Sequence, residues 1–277
     1  MTTAVDRWNA LLTARERQMD AAYARLGRTS ADFWDRRARG YHRSTKDTVA
    51  RDPLFLKLRD LVSPQTTVLD VGAGTGRFTL ALAPLVKHIT AIEPNPTMLD
   101  YLRRDIDQQK LSNISLIQST WQDAPEDLSA DIVLCSHVLY PIIDIVPFLA
   151  KLSAATRHAC YIYMRATHID SVTAHLWKHF HGDERCLPPT YIHAVDLLYE
   201  MGIYANVEAV RVPPVQHYPS YDVAVEELLE QLILPDNAQA RDELRTLLQD
   251  WLIKQNGVLK PPIDEMVFAI ICWETGS

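Results

Sequence analysis

Short β-branched segments alternate with helical segments through the middle of this chain. The hydrophobic pattern predicts strands at 66–71, 89–93, 114–118, 131–135 and 159–164, and helices at 77–86, 96–109 and 142–155. The later strands are apolar on both faces, so helices must cover the sheet from both sides. This arrangement is typical of parallel strands joined by crossover helices. The sequence therefore predicts an α/β fold with a doubly wound sheet.

Further helices flank this alternation. The pattern predicts helices at 6–27, 30–39, 53–61, 192–201, 221–234 and 238–254, and strands at 205–212 and 265–273. We expect residues 1–60 to form an N-terminal helical cap and residues 61–277 to form the main domain. Two additions, about 166–190 and 214–262, are expected on the substrate side. The amphipathic first helix could dock on its own core or on another subunit.

Composition restricts the partners of this protein. The chain has 28 basic and 35 acidic side chains, which give a formal charge of −7. This charge disfavours a nucleic-acid partner unless basic residues form a separate face. The densest basic stretch, 36–43, is interpreted as a solvated helix face or as a patch for an anionic substrate. Neither a secretory leader nor an apolar run of about 20 residues is visible, so a cytoplasmic protein without membrane contact is expected.

Cysteine and histidine spacing gives no metal signature. Four cysteines are scattered without C-x-x-C spacing, which argues against a disulfide framework and a thiolate zinc site. His175 and His179 are four residues apart and could form a metal pair, but no third ligand has a firm spacing. We therefore predict no metal site.

A glycine-rich turn follows the first predicted strand. Gly72, Gly74 and Gly76 are three of only nine glycines in the chain. Such a turn allows positive φ and close approach of a ligand to the backbone, and the helix after it presents free N–H groups. A dinucleotide fingerprint, G-x-G-x-x-G, would place its third glycine at Arg77, which disfavours a nicotinamide-dependent oxidoreductase. Glu93 ends the second strand, where a carboxylate can accept from both hydroxyls of a ribose.

Four segments together resemble one enzyme family. They are V-L-D-V-G-A-G-T-G (68–76), A-I-E-P-N (91–95), T-W-Q-D-A (120–124) and D-I-V-L-C-S-H-V-L-Y (131–140). In order and spacing, the chain is similar to the class I (Rossmann-like) S-adenosylmethionine-dependent methyltransferases over about residues 66–165. The resemblance implies a seven-stranded, mostly parallel sheet with an antiparallel last strand.

The resemblance also implies a set of cofactor-binding residues for S-adenosylmethionine. Backbone of the glycine turn would lie against the methionine and ribose, Asp70 would steer the ammonium group, and Glu93 would bind the ribose. Trp121 and Asp123 would lie near the adenine, and an aromatic lid at 33–41 would close over the cofactor. The complete predicted set is Tyr41, Asp70, Gly72, Ala73, Gly74, Gly76, Glu93, Pro94, Thr120, Trp121, Gln122, Ser136 and His137, with Asn95 and Asp123 beside it.

The same resemblance implies methyl transfer to a nucleophile by in-line displacement. His137 and His168 follow strand ends and are the candidate catalytic bases, a role that suits histidine near neutral pH. The alternative for each is a structural histidine. Trp177, His179, Tyr218 and Tyr221 are expected to line an aromatic pocket for a small-molecule substrate.

The expected aromatic pocket and the segment after the fourth predicted strand both bear on the acceptor class. The segment S-H-V-L-Y (136–140) lacks the Asn/Asp-Pro-Pro-aromatic tetrapeptide of methylases that act on exocyclic or amide nitrogens. A small-molecule acceptor is therefore the leading hypothesis. The alternatives are a protein or RNA acceptor and a non-catalytic cofactor-binding partner protein. A homodimer through the N-terminal helices is a further expectation.

Overall fold

The computed structural model describes residues 2–29, 49–214 and 216–275. Seven strands form the main sheet: β1 Thr67–Val71, β2 His88–Ile92, β3 Ile114–Ile117, β4 Ala130–Ser136, β5 Thr156–Arg165, β6 Asn206–Val212 and β9 Met266–Glu274. Their order in the sheet is β3-β2-β1-β4-β5-β9-β6. The pairs within β3-β2-β1-β4-β5 are parallel, and β9 is antiparallel to both β5 and β6. The predicted doubly wound sheet with an antiparallel last strand is confirmed.

Nine α-helices occur in the described part of the chain. They are α1 Ala4–Arg25, α2 Pro53–Leu61, α3 Arg77–Leu82, α4 Pro96–Gln109, α5 Ile145–Ala155, α6 Ala174–His181, α7 Tyr191–Glu200, α8 Tyr221–Gln231 and α9 Ala238–Trp251. The predicted helix at 30–39 lies outside the described residues. No helix among those described is both long and apolar enough to cross a bilayer.

The helices predicted at 77–86 and 238–254 end earlier than expected for reasons that the structure shows. The helix predicted at 77–86 stops at Leu82 and continues as a 3₁₀ turn, Ala83–Leu85, because Pro84 cannot donate a backbone hydrogen bond. The helix predicted at 238–254 stops at Trp251. A hairpin follows it, formed by β7 Ile253–Gln255 and β8 Val258–Lys260. Asn256 and Gly257 join these strands with φ of 51° and 82°, the positive values that a tight hairpin turn requires.

Helices cover both faces of the sheet, as the apolar strands predict. Alternate residues of β1 point to opposite sides. Val68 packs in the cluster that contains Leu54 and Leu58 of α2. Leu69 packs in the opposite cluster, with Leu149 of α5. This two-sided burial fixes the register of the central strands, and so it fixes the positions of the loops at their carboxyl ends.

Helix α1 docks on the core of its own chain. Trp8 is fully buried, and its indole N–H donates to the carbonyl of Ile142 at 2.7 Å. Leu12 is buried in the same cluster. The N–H of Ala4 donates to a carboxylate oxygen of Glu200 at 2.9 Å. The apolar face of α1 is therefore used within the chain, and a homodimer through this helix stays a prediction.

A second, smaller core lies where α1 meets α6, α8 and α9. Trp177 and Tyr218 are 1% and 2% exposed in this cluster, together with Leu228. The prediction that Trp177 and Tyr218 line a substrate pocket is therefore wrong, because both rings are buried in this second core. His179 lies at the surface, where its Nε2 is 2.8 Å from Glu243. Tyr221 is half-buried at the edge of this core.

Candidate functional site

The glycine turn lies at the carboxyl end of β1. Gly72, Gly74 and Gly76 have φ of 74°, 58° and 88°. The N–H groups of Gly72 and Ala73 both donate to the carbonyl of Ile92, at 2.8 and 2.9 Å. These bonds fix the turn against the end of β2. The positive φ values explain why the sequence places glycine at these three positions.

Gly72 also leaves space for a neighbouring side chain. A Cβ atom at this position would lie 2.3 Å from Cγ2 of Val138, the residue that follows His137. The absence of a side chain at Gly72 therefore allows the loop after β4 to approach the turn after β1.

Gly72→Ala is expected to lower the free energy of unfolding by about 2 kcal/mol or more. Alanine is strained at positive φ, and its methyl group would displace Val138. Gly202→Ala is the matched control, because Gly202 has φ of 78° and no atom near its Cβ position. Urea unfolding of both variants separates strain from contact. Equal losses in the two variants would contradict a role for the Val138 contact.

Glu93 lies beside the turn with both carboxylate oxygens engaged. Oε2 accepts from the N–H of Gly74 and Oε1 accepts from the N–H of Asn95, each at 2.9 Å. The residue is 8% exposed, and burial raises the pKa of its carboxyl group, although the two backbone bonds oppose this. Each oxygen keeps a further lone pair, so the carboxylate can still accept from two ligand hydroxyls.

Asp70, the residue before Val71 at the end of β1, is a second buried carboxylate. It is 3% exposed, and the hydroxyl of Thr79 donates to its Oδ2 at 2.6 Å. Burial raises the pKa of Asp70 to about 6, and the nearby charge of Glu93 contributes. Within the described ranges, neither carboxylate forms an ion pair with an arginine or lysine. Two uncompensated carboxylates beside an open turn favour a ligand with positive charge.

Asp70→Asn is expected to raise the free energy of unfolding by about 2 kcal/mol at pH 7. The folded-state pKa of about 6 lies above the ordinary pKa of an aspartate carboxyl group, about 3.9, so folding favours the protonated form. The stabilisation of the fold by protonated Asp70 is complete below about pH 4 and is lost as the pH rises through 6. Asparagine keeps an oxygen for Thr79 and carries no charge, so the difference between variant and wild type should shrink at acid pH.

Chemical denaturation at a series of pH values from acid to neutral tests this expectation. Asp264→Asn is the control, because the side chain of Asp264 is fully exposed. A variant that is less stable than the wild type at neutral pH would contradict burial as the dominant effect on Asp70.

Ser136 and His137 end β4 on the same edge of the sheet. His137 has φ of 60°, an uncommon value for a residue with a side chain. Its Nδ1 is 3.3 Å from the hydroxyl of Tyr140, and its ring packs against the rings of Tyr163 and Phe268 at centroid distances of 5.2 and 5.1 Å. Its Nε2 is buried and has no hydrogen-bond partner in the described part of the chain. Burial, reinforced by the charges of Arg165 and Arg77, lowers the pKa of His137 well below its ordinary value, so the ring is neutral at pH 7.

His168, the second candidate base, lies in a buried ionic cluster. Its Nδ1 accepts from the N–H of Asp170 at 3.2 Å. Asp170 in turn pairs with Arg15 of α1 at 2.6 Å and with Arg185 at 2.9 Å. Burial lowers the pKa of His168 to about 3, although the charge of Asp170 opposes this. These contacts join α1 to the loop after β5, which favours a structural role for His168.

The segment 120–123 lies beyond β3. Trp121 is 3% exposed, and its indole N–H donates to the carbonyl of Phe148 at 3.3 Å. Its ring therefore belongs to the core and leaves little surface for a ligand. The hydroxyl of Thr120 donates to Asp123 at 2.7 Å and accepts from the N–H of Asp123 at 3.2 Å. Gln122 is exposed.

The remaining predicted residues are distributed as follows. Ala73 is buried in the turn, Pro94 is exposed beside Glu93, and Ser136 is half-buried at the end of β4. Tyr41 and the predicted lid at 33–41 lie outside the described residues. The structure thus brings together the glycine turn, Asp70, Glu93 and the end of β4. The roles assigned to these residues stay predictions.

Sequence reasoning missed two arginines at this edge of the sheet. Arg77 follows the glycine turn and pairs with Asp52, which also caps α2 through the N–H of Leu54 at 2.9 Å. Arg165 ends β5, with its guanidinium carbon 5.4 Å from the centre of the Phe268 ring. A charged residue at the end of an apolar strand is the signal that could have identified Arg165.

No described group of three or more His, Cys, Asp or Glu side chains is arranged to hold a metal ion. His175, one member of the i, i+4 pair, instead packs against Trp251 with ring centres 4.8 Å apart.

The sequence of this chain matches the model of a known protein family. A family model described as a methyltransferase domain matches residues 62–201, which is half of the chain. The chain belongs to this methyltransferase family. The match covers β1 to β5 and the glycine turn, and the predicted class I family is confirmed.

Individual relatives of this chain are distant. An uncharacterized protein of Haemophilus influenzae is 28% identical over 158 residues, which are 54% of this chain and 55% of that protein. The release factor glutamine methyltransferase of Rhodopirellula baltica is 34% identical over 94 residues, 33% of this chain and 31% of that one. The chain therefore spans about half or less of the length of these relatives. A Bacillus halodurans structure, provisionally assigned as a methyltransferase, superposes with a TM-score of 0.54 at 15% identity over 80% of this chain and 98% of that chain, which shows a common fold.

Proposed function

We propose that this protein transfers a methyl group from S-adenosylmethionine to a small-molecule acceptor. The observation that carries the proposal is the pair of buried carboxylates, Asp70 and Glu93, beside a glycine turn with positive φ. When bound, S-adenosylmethionine supplies an electrophilic methyl group on a positively charged sulfur. It also carries an ammonium group and a ribose diol, which suit these two carboxylates.

The residues of the site would divide the work by position. The turn at 72–76 would lie against the cofactor without side-chain obstruction, Glu93 would accept from the ribose hydroxyls, and Asp70 would attract the ammonium group. Ala73, Pro94, Thr120, Trp121, Gln122 and Ser136 are the further predicted contacts. His137, neutral and half-buried directly after β4, would face the acceptor and could receive or donate a hydrogen bond there.

Two observations support a small acceptor. The segment 136–140 lacks the Asn/Asp-Pro-Pro-aromatic tetrapeptide of methylases that act on exocyclic or amide nitrogens. The net charge of −7 also disfavours RNA.

Isothermal titration calorimetry with S-adenosylmethionine, S-adenosylhomocysteine and NAD tests cofactor use. We expect both sulfur compounds to bind and NAD not to bind. Absence of binding at millimolar S-adenosylhomocysteine would make the proposal wrong.

Incubation with radiolabelled S-adenosylmethionine and a fractionated cell extract tests the acceptor class. We expect label to enter the small-molecule fraction. Label in the protein or RNA fraction would replace the small acceptor by a macromolecule, and binding without transfer into any fraction would favour a non-catalytic partner protein.

A further inference from the structure

Three side-chain nitrogens at the carboxyl edge of the sheet are buried and have no hydrogen-bond partner among residues 2–29, 49–214 and 216–275. They are Nε of Arg77, Nε2 of His137 and Nε of Arg165. Buried polar atoms are normally paired, so an unpaired group needs an explanation. The three nitrogens come from neighbouring elements of the fold, so one ligand bound at this edge would account for more than one of them.

Among the described residues, Arg77 has a partner of opposite charge and Arg165 has none. Arg77 forms an ion pair with Asp52. The carboxylate of Asp52 also accepts a hydrogen bond from the hydroxyl of Tyr163 at 3.5 Å. Arg165 forms no ion pair with any residue in the described ranges. A guanidinium stays charged at every physiological pH, so a partly buried one without a counter-charge is costly.

Arg165 and His137 both pack against the ring of Phe268. The guanidinium of Arg165 lies over the ring of Phe268 at 5.4 Å, and the imidazole of His137 meets the same ring edge-on at 5.1 Å. The hydroxyl of Tyr140 accepts from the backbone N–H of Arg165 at 2.7 Å and lies 3.3 Å from Nδ1 of His137. The two groups are therefore held next to each other against the buried Phe268 ring.

This region borders the glycine turn. Val138 follows His137 and is the side chain nearest to the Cβ position of Gly72. A group bound between Arg165 and His137 would therefore lie next to the proposed cofactor position, on the side of β4 and β5.

We propose that Arg165 binds a carboxylate group of the methyl acceptor. The planar guanidinium matches a carboxylate through paired hydrogen bonds, which a lysine or a neutral side chain in its place would not provide. A monoanion fits better than a phosphate dianion, because the carboxylates of Asp70 and Glu93 lie in the same part of the molecule and repel additional negative charge. This inference rests on the proposed function and specifies its substrate class.

The test uses benzoate and its neutral isostere benzamide as probes. Each is titrated calorimetrically into the wild type saturated with S-adenosylhomocysteine, at constant ionic strength. We expect benzoate to bind and benzamide to bind at least about tenfold more weakly. Arg165→Gln should remove this preference, and Arg165→Lys should keep part of it.

Arg157→Gln is the matched control. Arg157 lies at the opposite end of β5, where it pairs with Asp131 at 3.1 Å, so its loss should leave benzoate binding unchanged. Circular dichroism and S-adenosylhomocysteine affinity report whether each variant is folded.

Several results would overturn the inference. Equal binding of benzoate and benzamide, or unchanged benzoate binding in Arg165→Gln, would remove Arg165 from the acceptor site. Tighter binding of inorganic phosphate than of benzoate would exclude the carboxylate assignment. A large loss of S-adenosylhomocysteine affinity in folded Arg165→Gln would assign Arg165 to the cofactor instead. Failure of the wild type to bind S-adenosylhomocysteine would contradict the proposed function itself and is thus distinguishable.

Discussion

Glu93→Ala is expected to weaken the binding of S-adenosylhomocysteine by about 100-fold. The carboxylate would accept from two ribose hydroxyls, and hydrogen bonds to charged groups are each worth about 1.5–3 kcal/mol. The same carboxylate holds the N–H groups of Gly74 and Asn95 at 2.9 Å, so its removal also loosens the turn that the cofactor would contact. Isothermal titration calorimetry measures the change in affinity directly.

Two further variants make this measurement specific. Glu126→Ala removes an acid whose side chain is 83% exposed and should leave the affinity unchanged. Glu93→Gln keeps one carbonyl oxygen and the side-chain volume, so its affinity should lie between those of the wild type and the alanine variant. An unchanged affinity in Glu93→Ala would exclude Glu93 from the ligand site.

Trp8→Ala is expected to lower the free energy of unfolding by about 3–5 kcal/mol. The Trp8 side chain is fully buried between α1 and the main core, and its indole N–H satisfies the carbonyl of Ile142 at 2.7 Å. The substitution would leave both a cavity and an unpaired buried carbonyl. Urea unfolding monitored by circular dichroism gives the change in free energy.

Thr13→Ala is the control for this measurement, because Thr13 is exposed on the same helix. Its effect should be small. A loss of less than about 1 kcal/mol in Trp8→Ala would show that α1 is not part of the cooperative core, and the N-terminal helix would again be available for another subunit.

The parallel part of the sheet could be predicted because its signals are local. Val68 packs on one face of the sheet and Leu69 and Val71 pack on the other, so both faces of β1 require the apolar residues that the sequence shows. Positive φ at Gly72, Gly74 and Gly76 likewise requires glycine, so the turn was visible in the composition. The hairpin at 253–260 was missed because its strands are only three residues long and follow a helix without a break in polarity.

Burial of individual aromatic residues could not be predicted in the same way. Trp177 and Tyr218 are 41 positions apart in the sequence and meet only because α6 packs near the segment before α8. The same amphipathic pattern would suit an open pocket or a closed core. The sequence gives each helix an apolar face, but it does not state which other face covers it.

The sequence alone thus determined the order of strands and helices, the position of the glycine turn and the acidic residue that follows the second strand. Each of these depends on the conformational limits of a few neighbouring residues. Only the tertiary structure decided that Asp70 and Glu93 have no basic partner among the described residues. It also decided that His168 belongs to an ionic cluster with Arg15 and that Arg165 and His137 pack against the same ring, Phe268. Charge compensation and desolvation depend on what surrounds a group in space, and those neighbours come from distant parts of the chain.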